Sequence, residues 1–259
     1  MSTRILIKIG GRAFEDEGGF RELAEAILSA KKVEVIIVHG GGAEISRALK
    51  DAGRKTEFID GIRITRAADI QIVEAVLSGT VNQRISSWLE ANGVSCVPMS
   101  GKTQKLFVVE PLTRNGRDLG FVGNIKQVNP AVAIEAIQSG KVPVISPISA
   151  NEKDASYNVN ADSAAASLAA AAHCTDLVFI TDVPGVLVDD QPRSSLTVKE
   201  AQTLIADGII KGGMVAKMES AFVALDQDVP RVHIIEWQGP DTLRSIINRK
   251  SIPGTIIQS

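Results

Sequence analysis

The sequence predicts an α/β fold, a mainly parallel sheet with helices on both faces, from three observations. Strand-like and helix-like patterns alternate along all 259 residues. The strand runs are continuously apolar, as in strands covered on both faces. Two of them end directly in glycine clusters, Gly10-Gly11 and Gly40-Gly41-Gly42.

Ile5-Leu6-Ile7 is the first apolar run and ends at Lys8-Ile9-Gly10-Gly11. Phe20, Leu23, Ala24, Ile27 and Leu28 then recur at helical spacing over Phe20 to Ala30. Val33 to Val38 is a second buried strand, and the glycines at 40 to 42 open a helix reaching about Ala52. Ala67 to Ala91 reads as one long helix. Val94 to Met99, Val142 to Ile148, Leu177 to Thr181 and Val232 to Ile235 are further strands. Leu106 to Val109 and Gly120 to Gln127 form a hairpin, with the Arg114 to Asp118 segment as its turn. Alternation of this kind implies a layered sheet, decorated by one or two hairpins. Ser163 to Ala172 is a buried helix of small residues that can lie close to the sheet, and it is too short to span a bilayer. The boundary between two lobes falls near Ala171 to Asp176, giving 1–173 and 174–259.

Composition narrows the function classes. Hydrophobic and charged contents of 44% and 22% are those of a globular protein. A net charge of -2 and 4% aromatics offer neither a basic footprint nor a stacking platform for nucleic acid. Cys96 and Cys174 form no CxxC or His/Cys grouping, which disfavours a zinc site and fits a reducing cytoplasm. No signal peptide is expected, because the first strand begins almost at once.

The chemistry is carried by four short segments. Lys8 sits at the carboxyl end of the first strand, where α/β sheets gather ligands, and Gly10 and Gly11 let backbone amides face an anion. A solvent-facing lysine before an ordinary turn is the alternative. Gly40, Gly41 and Gly42 stand at a helix N-terminus, a ready anion site, and three glycines in a row are costly unless backbone must approach something closely. His39 carries less weight, since hydrogen bonding within the loop accounts for it. Asn158, Asn160 and Asp162 lead into the small-residue helix; an N-cap explains one of the three. An anionic Asp162 between two ammonium groups would keep both charged and oriented. Lys217 follows Gly212-Gly213 at the start of a helix reaching about Ala224. Arg63 lies in a short extended segment before a helix and suits bidentate grip on a carboxylate. Thr181 to Gly185 is a further strand-end loop.

Two phosphate motifs come close and fail. A dinucleotide fingerprint starting at Gly40 needs a glycine where Ile45 stands, and a P-loop ending at Ser100-Gly101-Lys102-Thr103 needs one where Cys96 stands.

In this order the motifs resemble the amino acid kinase family, from Lys8 to Gly254-Thr255, and within it the branch acting on N-acetyl-L-glutamate in arginine biosynthesis. The resemblance implies a three-layer αβα sandwich with two lobes, the first (1–173) holding the acyl amino acid and serving dimerisation, the second (174–259) holding ATP. Lys8 and Lys217 would stabilise the transferring phosphoryl group, with Asp162 orienting them. Gly41 and Gly42 would donate amides, beside a phosphate-facing loop of Gly10, Gly11 and Gly40. Arg63 and Asn158 would hold the substrate α-carboxylate. Asp182, Val183, Pro184, Gly185, Val186 and Leu187, with Ile209, Ile210 and Lys211, would line the nucleotide site. Mg²⁺ would be held mainly by the ATP phosphates, with no metal ligand among the named residues.

The chain departs from many relatives after Ser100-Gly101, where Lys102-Thr103-Gln104 replaces a charged residue and Asp-Gly. The early first strand leaves no room for the amino-terminal helix of arginine-inhibited relatives, so the resemblance implies a cytoplasmic homodimer insensitive to arginine. The alternatives are a kinase of carrier-linked aminoadipate in lysine biosynthesis, and a non-catalytic nucleotide or amino-acid sensor on the same fold.

Overall fold

The computed structural model describes residues 3–10, 17–250 and 253–258. In chain order it contains β1 (Thr3–Ile9), α1 (Glu17–Ser29), β2 (Val33–His39), α2 (Gly42–Asp51), β3 (Phe58–Ile59), β4 (Ile62–Arg63), α3 (Ile70–Glu74), α4 (Asn82–Ala91) and β5 (Cys96–Ser100). There follow β6 (Phe107–Arg114), β7 (Arg117–Val128), α5 (Ala131–Gln138), β8 (Val142–Ser146), β9 (Ile148–Ala150), β10 (Ser156–Asn158) and α6 (Ala161–Ala171). The remainder is β11 (Asp176–Thr181), β12 (Leu187–Val188), β13 (Gln191–Pro192), β14 (Ser195–Thr197), α7 (Val198–Ala206), α8 (Gly213–Asp226), β15 (Val232–Glu236), α9 (Asp241–Ile247) and β16 (Thr255–Gln258).

Among the described residues the central sheet has eight strands in the order β14-β16-β15-β11-β1-β2-β8-β5. Its pairings are parallel except β15 with β16. The apolar runs explain the layering. Along β1 and β2, Leu6, Ile36 and Val38 belong to the core shared with α6 and α8. Ile5, Ile7, Val35 and Ile37 belong to the opposite core, with residues of α1, α4 and α9. Successive strand residues point to opposite faces, so both faces must be apolar. The small side chains of α6 (Ala164, Ala165, Ala166, Ala169) are fully buried, letting that helix approach the sheet closely. The sheet is continuous across the loop between α6 and β11, because β11 pairs directly with β1.

Three expectations are corrected in detail. The long helix begins at Ile70 rather than Ala67, since residues 66–69 form a turn closed by Asp69 N–H to the Arg66 carbonyl. Its middle, Ala75–Val81, is π-helical. The run Val142 to Ile148 is two strands, interrupted at Pro147, which has no N–H to donate to a ladder. The hairpin strands are longer than predicted and meet at Asn115-Gly116, both at positive φ (52° and 72°), the pairing that a tight two-residue hairpin favours. Among the described residues no helix is long and apolar enough to cross a membrane.

Candidate active site

Strand alternation aims Lys8. It shares the face of Leu6, beneath α6 and α8, and pairs laterally with Phe179 on β11. At the start of α6 the cap is Asn160, whose side-chain oxygen accepts from the N–H groups of Asp162 and Ser163. That leaves the Asp162 carboxylate free to face the sheet. Lys217 lies in the second turn of α8 and reaches the same carboxylate.

Lys8 Nζ is 2.8 Å from Asp162 Oδ1 in a close ion pair, and Lys217 Nζ donates to Asp162 Oδ2 at 3.0 Å. The Lys217 ammonium also lies 4.8 Å from the centroid of the Phe179 ring, a cation–π distance. All three charged groups are nearly inaccessible, with side-chain exposures of 9%, 12% and 10% for Lys8, Asp162 and Lys217. Burial alone would raise the Asp162 pKa, but the two ammonium groups outweigh it and hold the carboxyl well below the usual range. Burial lowers the Lys217 pKa, opposed by the charge of Asp162. One negative charge between two positive ones leaves an excess positive charge, a site prepared for an anion. A side chain on Gly10 would place its Cβ 2.2 Å from Lys8 Nζ, so glycine there makes room for the ammonium. Gly11 lies outside the described residues.

A cavity of about 140 Å³ reaches the amino-terminal end of α6, the helix that carries Asp162, and is lined among others by Gly40, Gly41, Gly42, Arg63, Asn158 and Asn160. Arg63 is 6% exposed. Its Nη2 donates to the Gly42 carbonyl at 2.8 Å and Ser46 Oγ at 2.9 Å, its Nη1 to Thr56 Oγ1 at 3.3 Å, and it stacks 4.7 Å from the Phe58 ring centroid. A guanidinium has five N–H groups, so this seating still leaves donors for a carboxylate. Asn158 donates to Thr65 Oγ1 at 3.1 Å. Gly41 is closely packed: a Cβ there would lie 2.7 Å from Leu77 Cδ2, on the π-helical segment, so that side chain would have to shift.

His39 supports the glycine loop from behind. The Asn82 amide faces the carbonyls of Met99 (3.2 Å) and Val144 (2.9 Å), so it must present its NH₂ to His39 Nε2, at 2.9 Å. The imidazole proton therefore resides on Nδ1 and is donated to the Gly40 carbonyl at 2.8 Å. Burial lowers the pKa of this histidine to about 4, which keeps it neutral.

Asp182 to Leu187 follow β11, and Ile209 to Lys211 precede α8. Asp182 is exposed and adds a favourable charge to Lys217. Gly185, at φ 132°, and Val186 are buried, and the Val186 N–H donates to Thr255 Oγ1 at 2.8 Å. Leu187 and Ile209 are apolar side chains left exposed, at 39% and 42%. Sequence reasoning missed Asn82, Ser46, Thr56 and Thr65, which reach the site only through folding and carry no local motif.

The sequence model of the amino acid kinase family matches residues 3–236. Acetylglutamate kinase of Syntrophomonas wolfei is 39% identical over 246 residues, covering 93% of this chain and 85% of that protein. The acetylglutamate kinase of Methanocaldococcus jannaschii is 38% identical over 267 residues, covering 97% and 89%. Among solved structures, smu.665 from Streptococcus mutans superposes with a TM-score of 0.84 at 27% identity, covering 100% of this chain and 99% of that one. The chain belongs to the amino acid kinase family.

Proposed function

We propose that this protein is an ATP-dependent acetylglutamate kinase, transferring the γ-phosphoryl group of ATP to the side-chain carboxylate of N-acetyl-L-glutamate. The observation that carries the reading is the buried Lys8–Asp162–Lys217 cluster, with the glycine-lined cavity at the amino-terminal end of the helix that carries Asp162. Likeness to acetylglutamate kinases over more than 90% of the chain supports the choice of substrate.

The acceptor needs no general base, since a glutamate side chain with a pKa near ~4.3 is already ionised at neutral pH. The work is positioning and charge neutralisation over the phosphoryl oxygens. In this reading Lys8 and Lys217 face the transferring group, while Asp162 fixes their ammonium positions. Amides of Gly41 and Gly42 donate to the acid and to the developing charge, with Gly10 and Gly40 shaping the two loops. Arg63 and Asn158 hold the α-carboxylate. Residues 182–187 and 209–211 receive the nucleotide, so that 1–173 is the acid lobe and 174–259 the ATP lobe. Both oxygens of Asp162 already face ammonium groups, so we assign Mg²⁺ to the ATP phosphates, whose charge it offsets.

Acyl phosphate formed with ATP and Mg²⁺ and trapped by hydroxylamine tests the reading. N-acetylglutamate, glutamate, aspartate and N-acetylaminoadipate are compared side by side. A clear preference for N-acetylglutamate is expected; preference for another acid would overturn the substrate, and silence with all four would overturn the activity. We also propose a cytoplasmic homodimer, on likeness to the family alone; a single species of monomer mass in sedimentation would refute the dimer.

A further inference from the structure

Arg114, the last residue of β6, holds two carboxylates from different parts of the fold. Its Nε lies 3.1 Å from Asp60 Oδ2, and its Nη2 donates to Glu219 Oε1 and Oε2 at 2.9 and 3.1 Å. Asn115 Nδ2 donates to the same Asp60 oxygen at 3.2 Å. Asp60 and Gly61 are the turn residues of the β3–β4 hairpin, both at positive φ (49° and 79°). Phe58, Ile62 and Arg63 of that hairpin line the cavity assigned to the acid. Glu219 lies two residues beyond Lys217 on α8. The turn sits directly on that helix: a Cβ on Gly61 would be 3.5 Å from Gly213 Cα.

We propose that Arg114 is a positioning residue that couples the acid cavity to Lys217, by locking the β3–β4 hairpin onto the helix that carries that lysine. The inference rests on the kinase reading and goes beyond it. It names the contact through which a filled acid cavity fixes the transfer lysine, and through which a placed lysine favours the acid. Side-chain exposures of 28% for Arg114, 46% for Asp60 and 44% for Glu219 make these pairs poor contributors to stability. A merely structural role therefore predicts little effect of any kind when they are broken, whereas a coupling role predicts a loss in turnover at nearly constant stability.

The test compares wild type, Arg114→Gln, Glu219→Gln and the double variant, reading Tm, kcat and the Kd of a non-hydrolysable ATP analogue with and without N-acetylglutamate. In the wild type the acid is expected to tighten the analogue by roughly fivefold or more, in the usual range of site–site coupling. In Arg114→Gln that factor should fall to about one and kcat about tenfold, as for a misplaced catalytic group, with Tm and the acid-free Kd nearly unchanged. Glu219→Gln should do the same, and the double variant should be no worse than Arg114→Gln, because both break one link. Wild-type kcat and coupling in Arg114→Gln would overturn the inference, as would strictly additive losses or a wild type without coupling. A wild type that forms no acyl phosphate would sink the kinase reading itself, and is seen before any variant is made.

Discussion

Lys8 and Lys217 hold opposite oxygens of a single carboxylate, that of Asp162, at 2.8 and 3.0 Å. Their spacing is thus set by one side chain on a third element, and that side chain is fixed because the neighbouring Asn160 takes over the helix cap. Disturbing any one of the three should disturb the geometry of all.

Asp162→Asn removes the charge that both ammonium groups share. The expected result is a kcat loss on the order of 10²-fold, as for misplacing preorganised transition-state donors, with smaller changes in KM. Steady-state kinetics check it, and unchanged kcat would reduce Asp162 to part of the helix start. The sign of the pH effect follows from its depressed pKa. Its stabilising contribution is complete above the unfolded value near ~3.9 and is lost as pH falls below it. Urea midpoints of the Asn variant should therefore depend less on pH below about 4 than those of the wild type.

Gly10→Ala is expected to act on Lys8 rather than on the backbone, because the new methyl would lie 2.2 Å from Nζ and the neighbouring Ile180 carbonyl only at 3.5 Å. The ammonium must move. We expect kcat to fall by roughly 10- to 100-fold while Tm changes little, since a misplacement of about 1 Å is costly in catalysis. A large fall in Tm with kcat intact would show that the glycine serves packing.

Arg63→Lys keeps the charge but loses the planar fork that grips Gly42, Ser46 and Thr56 at once. KM for the acid should rise by about 10-fold or more, with KM for ATP within a few-fold, as for loss of a charge-assisted hydrogen bond to a carboxylate. Equal rises in both KM values would contradict the assignment of Arg63 to the acid.

His39 predicts a second pH dependence. Its pKa is lowered by burial from 6.5 to about 4, so in this window the unfolded chain binds a proton that the folded chain does not. Stability contributed by the neutral ring is complete above about 6.5 and is lost as pH falls toward about 4. The total is on the order of 3 kcal/mol. Urea denaturation at pH 7 and pH 4.5 should show this loss in the wild type and much less of it in His39→Gln; parallel losses in both would refute it.

What the sequence made legible was local. Apolar runs marked the strands, because a strand buried on both faces leaves a continuous signature. Glycines marked the loops where Gly10 and Gly41 are packed against Lys8 Nζ and Leu77. Three polar residues in alternation are equivalent candidates for a helix cap, and folding selects Asn160, which accepts from the N–H groups of Asp162 and Ser163. The π-helical segment Ala75–Val81 has no periodicity that separates it from an α-helix in a mixed apolar run. Contacts such as Asn82 to His39, Thr65 to Asn158 and Arg114 to Glu219 join residues far apart in sequence. Their partners are chosen by topology, which no short motif encodes.

The most direct test of the account is a rapid-quench single-turnover measurement of γ-phosphoryl transfer from labelled ATP to N-acetyl-L-glutamate, in the wild type and in Lys217→Ala. The account predicts label on the acid in the wild type and transfer slower by roughly 10²- to 10³-fold in the variant, the cost of one preorganised donor to the transition state. Equal transfer rates in the two proteins, or a wild type that leaves the acid unlabelled, would contradict it.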